Sequence, residues 1–492
     1  MPAPKSESKG ITVKKADNFS EWFTQVTHKA ELADIRYNVQ GFIVHLPWAM
    51  KIARKIYEFF ESAVEADNHE PMLLPTVIAE ENLKKEQEHA GFIPEVFWVT
   101  EAGSAKLERK LALRPTGETQ IYPMYSLWIR SYNDLPLKRY QSRITVFRNE
   151  MATRPFMRGR EFMFFETHDV FENKEDAYKQ ITTDMQIMHD VVEKKLFIPF
   201  IFLKRPQWDK FLGAEETFTS DTLHPDGRRT QISSTHYLGT NFAKPFNVTF
   251  TDKSGKQQYG HQTCFGPGIW RIIAALISIH GDDKGLILPF ELSPIQVVIV
   301  PIVFADKPAE NKKVQAYVQK LHQQLAKAGI KVHSDVRDIS PGEKFNIWEM
   351  KGVPLRIEIG PKEADAGTVT IVRRTDRKKA TVSTKAIEKE IASQSKIVDT
   401  TIQAQAQQYF KNNTKHASTF ADVKKILKEH RGFVCAPWCS TAIAGKSCAE
   451  KLKEETTAHV CGTLLEEQKP KSAACIICKK PAHHTVYIAT SI

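Results

Sequence analysis

Residues 146–168 read VFRNEMATRPFMRGREFMFFETH, and this stretch decides the fold. Its two ends are rich in β-branched and aromatic residues, which predicts two strands, and the loop between them carries several arginines. Such a hairpin would direct guanidinium groups and carboxylates into one space. That arrangement suits a polyphosphate, because Arg binds phosphate oxygens with planar, bidentate geometry. A solvated hairpin with incidental ion pairs is the alternative.

Two further segments have residue types suited to the same chemistry. Residues 114–119, RPTGET, place a hydroxyl and a carboxylate at a Pro-Thr-Gly turn, although an ordinary helix-capping box would look the same. Residues 264–271, CFGPGIWR, place glycines before an apolar helix, so the backbone can bend closely around a ligand near Arg271. Each segment is weak evidence by itself.

The order of patterns along the chain predicts three folded units after a polar start. Residues 18–292 combine helical spacing at 48–64 with several strand-like runs, which predicts a mostly antiparallel sheet with flanking helices. Residues 293–402 alternate strand and helix patterns, as in an α/β domain. The last unit, 403–492, holds most of the cysteines. Residues 1–17 are polar and Lys-rich, which predicts a flexible tail.

The composition favours a globular protein with a polyanionic partner. The chain has 492 residues, is 41% hydrophobic, and carries a formal net charge of +11. A basic balance strengthens binding to phosphate backbones, although many enzymes are basic without touching nucleic acid. The start lacks the apolar core of a signal peptide, and no apolar run is long enough to span a bilayer. We therefore expect a soluble, cytoplasmic protein without a membrane partner.

Six of the seven cysteines lie in the C-terminal unit, where they suggest a metal site rather than a chain-wide disulfide framework. Two close pairs have spacing suited to a tetrahedral structural zinc site: Cys435 with Cys439, and Cys475 with Cys478. Cys448 and Cys461 are competing candidates.

Taken together, the three segments resemble, in order and spacing, the signature elements of class II aminoacyl-tRNA synthetases. RPTGET, the FRNE strand, REF followed by ETH, and HGDDKGLILP at 280–289 are similar to prolyl-tRNA synthetases of the archaeal and eukaryotic type. The resemblance implies an α+β class II catalytic core, an antiparallel sheet with flanking helices, in 18–292. It further implies an α/β anticodon-binding domain in 293–402 and a small α/β zinc-binding domain in 403–492.

The resemblance also implies the site residues. Arg148 and Arg271 would be catalytic, with Arg148 on the α-phosphate of ATP and on the proline carboxylate, and Arg271 on the distal phosphates. Phe156 would stack on adenine. The full ATP site would comprise Arg148, Glu150, Phe156, Arg158, Gln231, Ser234, His236 and Arg271. The proline site would comprise Phe92, Thr116, Glu118, Arg148, Phe164, Glu166 and His168.

The implied activity is ligation of L-proline to tRNA(Pro) in two steps. Proline would react with ATP, assisted by magnesium, to give prolyl-adenylate and pyrophosphate, and transfer to tRNA would release AMP. The helix at 48–64 would belong to a homodimer interface, although a helix buried within one subunit explains it equally well. The alternatives are another class II synthetase and a non-catalytic RNA-binding paralogue. A threonyl enzyme would need zinc ligands beside RPTGET, where the sequence offers no suitable Cys/His set.

Overall fold

The protein is described by a computed structural model over residues 10–90 and 95–492, without the side chains of 86–90. Its architecture is the expected one: an α+β core with an antiparallel sheet, an α/β domain, and a smaller α/β domain at the C-terminus. Within the described ranges, every helix is too short or too polar to cross a bilayer.

The N-terminal domain contains seven helices and fourteen strands in its described part. Helices α1–α7 are Phe19–Lys29, Pro47–Ala66, Glu80–Ala90, Glu118–Trp128, Lys174–Met188, Ala243–Phe246 and Ile269–His280. Strands β1–β14 are Ala33–Val39, Phe42–His45, Glu70–Pro71, Val77–Ala79, Trp98–Ala102, Ala105–Leu113, Leu137–Phe147, Glu161–Phe171, Ile201–Lys204, Glu216–Leu223, Arg229–Gly239, Thr249–Thr251, Gln257–Tyr259 and His261–Pro267.

The central element of this domain is a seven-stranded sheet in the order β3-β7-β8-β14-β11-β10-β9. All neighbours are antiparallel except β3 and β7. Helix α7 is apolar on nearly all sides and is therefore buried against the sheet together with α2. This packing brings the β7–β8 loop, β11 and the start of α7 to one end of the sheet.

Helix α2 is the helix expected at 48–64, and its apolar residues face the core of its own subunit. Trp48, Ile52, Tyr57 and Phe60 are all buried within the chain. Burying a large apolar side chain contributes about 1.5–3 kcal/mol, so α2 is held by its own domain. One face of α2 is thus a core element, while Lys51, Arg54 and Ser62 on its other face are exposed, and its place in a subunit interface stays a prediction.

The second domain is a five-stranded sheet covered by helices. Strands β15–β19 are Val297–Pro301, Val332–Ser334, Leu355–Ile359, Thr368–Arg373 and Lys379–Ser383, in the order β16-β15-β17-β18-β19. Helices α8–α11 are Pro308–Lys327, Pro341–Met350, Pro361–Ala366 and Ile387–Asn412. Strand β15 is parallel to both neighbours and is buried along its whole length, as an uninterrupted apolar run requires.

The third domain follows without a linker, because α11 runs through the expected boundary between residues 402 and 403. Its first half packs on the second domain through Ile387 and Ile391, whereas Tyr409 near its end donates to the carbonyl of His224 at 2.6 Å. Helices α12 and α13 are Phe420–Glu429 and Lys446–Thr456. Strands β20–β23 are Thr414–His416, Phe433–Trp438, His459–Gly462 and His484–Ala489, in the order β20-β21-β23-β22.

The segment 10–17, which the sequence assigned to the flexible tail, lies against the N-terminal domain. Lys15 donates through its Nζ to the carbonyls of Gly281 at 2.6 Å and Ile279 at 3.2 Å, where α7 ends. A cation at this position satisfies the carbonyls at a helix C-terminus. Burial lowers the pKa of Lys15 to about 8, although Asp282 and Asp283 oppose the shift.

The first two domains are joined by a bidentate ion pair between Asp282 and Arg374. The guanidinium is 1% exposed, contacts both carboxylate oxygens at 2.5 and 2.9 Å, and also donates to the carbonyl of Glu349. Burial would raise the pKa of Asp282, but the bonds from Arg374 outweigh burial and hold that pKa below its usual range. The stability that this pair contributes is therefore present at neutral pH and is lost as the pH falls through the acid range.

Replacing Arg374 with Met should lower the free energy of unfolding by about 3 kcal/mol, because Asp282 would lose its main partner. Arg377→Met is the matched control, since Arg377 is half exposed and contacts Asp282 at 3.3 Å, and it should cost less than about 1 kcal/mol. Urea unfolding followed by tryptophan fluorescence measures both changes. Equal losses in the two variants would contradict the assignment of Arg374 as the domain clamp.

Candidate active site

One cavity at the end of the central sheet collects most of the predicted ATP-site residues. We call it the central cavity; it has a volume of about 150 Å³. Its walls come from the β7–β8 loop, β11, and the turn between β14 and α7. The predicted residues that line it are Arg148, Glu150, Phe156, Arg158, Phe164, Gln231, Ser234 and Arg271.

Three arginines make the central cavity an anion-binding site. Burial, together with the positive charges of Arg148 and Arg158, lowers the pKa of Arg271 to about 10. Burial likewise lowers the pKa of Arg148, although its guanidinium faces the open cavity, so solvent still reaches it. The carboxylate of Glu150 opposes the lowering of the pKa at both Arg148 and Arg271, and it lies 3.7 Å from Arg158. Three cations held this closely favour a ligand with several negative charges.

Backbone contacts fix these arginines in place. The N–H of Arg148 donates to the carbonyl of Arg160 at 2.9 Å, and the N–H of Arg160 donates to Gly41 at 2.9 Å, so the arginine-rich loop is tied to the β1–β2 hairpin. Arg271 lies in the first turn of α7 and donates to the carbonyl of Gln231 at 3.2 Å. The loop and the helix thus approach from opposite sides of the cavity.

The first glycine of the GPG turn, Gly266, lies too close to Phe164 for a side chain. A Cβ built on Gly266 would lie 2.9 Å from the ring of Phe164, closer than such contacts normally come. The glycine therefore lets β14 pass directly beside the wall of the cavity, where it pairs with Ser234 on β11.

An aromatic group closes one side of the central cavity, and the sequence identified only one of its members. Phe156 is buried in a left-handed conformation with φ of 62°. Its ring lies 5.1 Å from His45 and 5.6 Å from Trp270, and those two rings stack at 4.2 Å. Trp270 was within reach of sequence reasoning because it adjoins Arg271, whereas His45 belongs to a hairpin with no motif of its own.

A second group of predicted residues lies deeper, behind the central cavity. Thr116 donates a hydrogen bond to the buried Glu118. Glu166 lies 3.1 Å from Nε2 of His168 and accepts from Gln141 at 3.1 Å. We call this set, with Cys264 beside it, the inner pocket. It joins two carboxylates and one imidazole in a space shielded from water.

The electrostatics of the inner pocket differ from those of the central cavity. Burial would lower the pKa of His168, but Cys264 and Glu166 outweigh it and raise that pKa well above the usual value. Burial raises the pKa of the Cys264 thiol to about 12, against the influence of His168. Because Glu118 and Glu166 place two carboxylates against one imidazole, the inner pocket suits a cationic group, whereas the arginines of the central cavity suit an anionic one.

Glu118, His168 and Cys264 bring three possible metal-ligand atoms within 4.8 Å of one another. The sequence missed this trio because the three residues are far apart in the chain. The donors fit a metal poorly, since Glu118 already accepts a hydrogen bond from Thr116 and Nε2 of His168 already faces Glu166 at 3.1 Å. The zinc-dependent pocket of a threonyl enzyme is therefore disfavoured on the geometry as well.

Two predicted residues are not part of these pockets as described. His236 does not line the central cavity; it is buried between Thr217, whose hydroxyl lies 3.0 Å from Nδ1, and the ring of Phe211 at 5.0 Å. Burial lowers the pKa of His236 to about 4. Phe92 lies outside the described residues.

The C-terminal domain contains a cluster of four cysteines that differs from the expected set at one position. Cys439, Cys448, Cys475 and Cys478 have sulfurs within 4.8 Å of one another, and those of Cys439 and Cys448 lie 3.8 Å apart. A tetrahedral zinc with bonds of about 2.3 Å places neighbouring sulfurs about 3.8 Å apart, so the cluster fits zinc.

Cys435, which the sequence placed among the zinc ligands, lies on β21 and pairs with Tyr487 instead. Four residues of extended strand span about 13 Å, so Cys435 and Cys439 cannot reach one metal. Cys448, at the start of α13, takes that position. Cys461 is buried in a different cluster, with Leu203 and Leu223.

Comparison with known proteins agrees with this geometry. Residues 97–280 match the family model of the tRNA synthetase class II core domain (G, H, P, S and T), residues 296–394 match the anticodon binding domain, and residues 420–491 match the prolyl-tRNA synthetase C-terminal domain.

Full-length relatives were also found. A proline--tRNA ligase of Thermofilum pendens is 50% identical over 98% of this chain and 99% of its own length. The enzyme of the same name from Thermococcus kodakarensis is 40% identical over 95% of this chain and 97% of its own length. A solved structure of Giardia lamblia prolyl-tRNA synthetase in complex with prolyl-adenylate has a TM-score of 0.94 and 32% identity, covering 98% of this chain and all of that one. The chain thus belongs to the prolyl-tRNA synthetase family of class II aminoacyl-tRNA synthetases.

Proposed function

We propose that the protein ligates L-proline to tRNA(Pro) with ATP, through a prolyl-adenylate intermediate. The observation that carries this proposal is the pairing of an arginine-lined cavity with an inner pocket of carboxylates and an imidazole. An amino acid lying across both would place its ammonium near Glu118 and its carboxylate near Arg148. The relatives that share the fold are named for this activity.

The first step is attack of the proline carboxylate on the α-phosphorus of ATP, with pyrophosphate as the leaving group. Arg148 would bind both the carboxylate and the α-phosphate, and Arg271 the distal phosphates. Because the negative charge of the transition state spreads over the phosphate oxygens, fixed guanidinium groups lower the barrier without a covalent enzyme intermediate. The tRNA 3′ hydroxyl would then attack the adenylate carbonyl and release AMP.

The cavity also fits magnesium, which the family uses with ATP. Glu150 and Glu161 line it and supply the carboxylate oxygens that Mg²⁺ prefers. When bound, the ion would neutralise phosphate charge next to the arginines. Phe156 would present its face to adenine and Gln231 and Ser234 would lie near the ribose and phosphates. His236 would act only from behind this wall, since Thr217 and Phe211 enclose it.

Proline selection is proposed for the inner pocket. Thr116, Glu118, Glu166 and His168 would surround the secondary ammonium, and Phe164 would pack on the ring. Such a pocket discriminates weakly against smaller apolar substrates, since one missing methylene costs only about 1–3 kcal/mol. Alanine is therefore the expected error. Another class II specificity is disfavoured by the match of 420–491 to the prolyl C-terminal domain.

We further propose that the enzyme acts as a cytoplasmic homodimer that reads tRNA(Pro) through the second domain. The match to the anticodon-binding family supports the tRNA contact. Exposed apolar side chains support a subunit interface: Leu73 is 77% exposed, Leu127 58%, and Trp98 and Trp128 about half. Large apolar side chains left in water are of the kind that a partner subunit covers.

Zinc is proposed as a structural ion in the C-terminal domain, held by Cys439, Cys448, Cys475 and Cys478. Four thiolates would close the coordination sphere, so the ion would stabilise the small domain and take no part in catalysis.

Replacing Arg148 with Ala should lower proline-dependent ATP–pyrophosphate exchange by at least about 100-fold, because one guanidinium serves both reacting groups. Exchange with each of the other amino acids should stay at background in the wild-type protein, except for weak exchange with alanine. Arg109→Ala is the control, since Arg109 is an exposed arginine paired with Glu81 outside the site. Absence of proline-dependent exchange in the wild type would refute the proposed function.

Replacing Cys448 with Ser should remove zinc from the purified protein, whereas Cys435→Ser should leave about one zinc per chain. Elemental analysis of the two variants measures this directly. Retention of zinc by Cys448→Ser together with its loss from Cys435→Ser would restore the ligand set that the sequence suggested.

A further inference from the structure

One further cavity adjoins the central cavity, and another cavity borders that one. The first, which we call the arginine passage, has a volume of about 430 Å³ and shares Arg148, Arg158 and Arg271 with the central cavity. The second, the basic groove, has a volume of about 710 Å³ and lies between the catalytic and C-terminal domains. Ser491 lines both, so the groove and the passage are neighbours.

The arginine passage is strongly positive. It adds Arg154 and Arg229 to the three arginines of the central cavity, and no Asp or Glu is among the described residues that line it. Arg229 donates through Nη1 to Asp221 at 2.7 Å, and its Nε has no hydrogen-bond partner in the described part of the chain.

The basic groove continues this charge across a domain boundary. The catalytic domain contributes Arg228, next to Arg229 of the passage, and the C-terminal domain contributes Lys424, Lys428 and Arg431. The single acidic residue of the lining, Glu455, is paired with Lys424 at 2.5 Å. Lys428 is exposed on α12 and has no ion-pair partner among the described residues. Arg228 is paired with Asp226 at 2.6 Å, so the uncompensated positive charge of the groove lies on Lys428 and Arg431.

We propose that the basic groove and the arginine passage bind the phosphate backbone at the 3′ end of the tRNA and guide it to the adenylate. The inference rests on the proposed function, because only the second step brings a nucleic acid to this cavity. A compact anion such as pyrophosphate would be held by the arginines of the central cavity alone. A row of cations spread over two domains suits a chain of separate phosphates instead.

The C-terminal domain thereby gains a role in catalysis beyond stability. Its helix α12 supplies one side of the groove, and its last residues, Thr490–Ile492, form the wall next to Arg229, whose N–H donates to the carbonyl of Thr490 at 2.8 Å. Lys428 would act by binding substrate far from the reacting atoms, so its loss should change tRNA use and leave proline activation unchanged.

The test compares Lys428→Glu with Lys425→Glu. Both lysines are exposed on α12 and both substitutions change the net charge equally, but Lys425 does not line the groove. We expect Lys428→Glu to lower kcat/KM for tRNA(Pro) about threefold to tenfold and to make its dependence on log salt shallower by about 0.7 to 0.9. Lys425→Glu should leave both values at the wild-type level.

Proline-dependent ATP–pyrophosphate exchange, run without tRNA, separates this inference from the proposed function. The exchange rate should be the same in the wild type, Lys428→Glu and Lys425→Glu. A raised KM for pyrophosphate in Lys428→Glu would assign the groove to that product and overturn the inference, as would equal losses of tRNA charging in both variants or no loss in either. If the wild type shows no exchange at all, equilibrium binding of tRNA(Pro) still decides: a higher Kd for Lys428→Glu alone supports the groove.

Discussion

The structure depends on holding three guanidinium groups around one cavity against their mutual repulsion. Burial and, after it, the positive charges of Arg148 and Arg158 lower the pKa of Arg271, so the three groups repel one another. They stay in position because backbone carbonyls and a seven-stranded sheet fix them before any ligand arrives. This arrangement is costly for the free protein and favourable once phosphate groups are bound, which is the preorganisation that electrostatic catalysis requires.

The anchoring extends beyond the catalytic domain through one buried arginine. Arg205 donates to the carbonyl of Cys461 in the C-terminal domain at 2.9 Å and to the side chain of Gln231 at 3.0 Å. The carbonyl of Gln231 in turn accepts from Arg271. The C-terminal domain is therefore connected to Arg271 of the central cavity through two hydrogen-bonded residues, Arg205 and Gln231. This connection gives a physical reason why a small domain far from the anticodon-binding sheet is built onto the catalytic core.

The two pockets divide the charge of an amino acid between them. Carboxylates lie in the inner pocket and guanidinium groups in the central cavity, so a zwitterion has one orientation in which both ends are satisfied. Burial strengthens this selection because unpaired charges cost more where water is excluded. The positive charge of the central cavity extends outward, since the arginine passage and the basic groove are lined by further cations.

The sequence alone determined the family, the order of the domains and the three arginines of the central cavity, because these depend on local motifs whose spacing the fold preserves. Glycines at a tight turn and arginines in a loop between strands are common separately, but their occurrence together in this order is specific to few families. Only the tertiary structure decided which groups meet across long distances. It brought Cys264 and Tyr122 to His168, and it placed His45 beside Phe156. It also exchanged Cys435 for Cys448, because β21 is extended and separates two cysteines that are close in the chain. Spacing along the chain predicts proximity in a turn or a helix, but within a strand each residue adds about 3.3 Å.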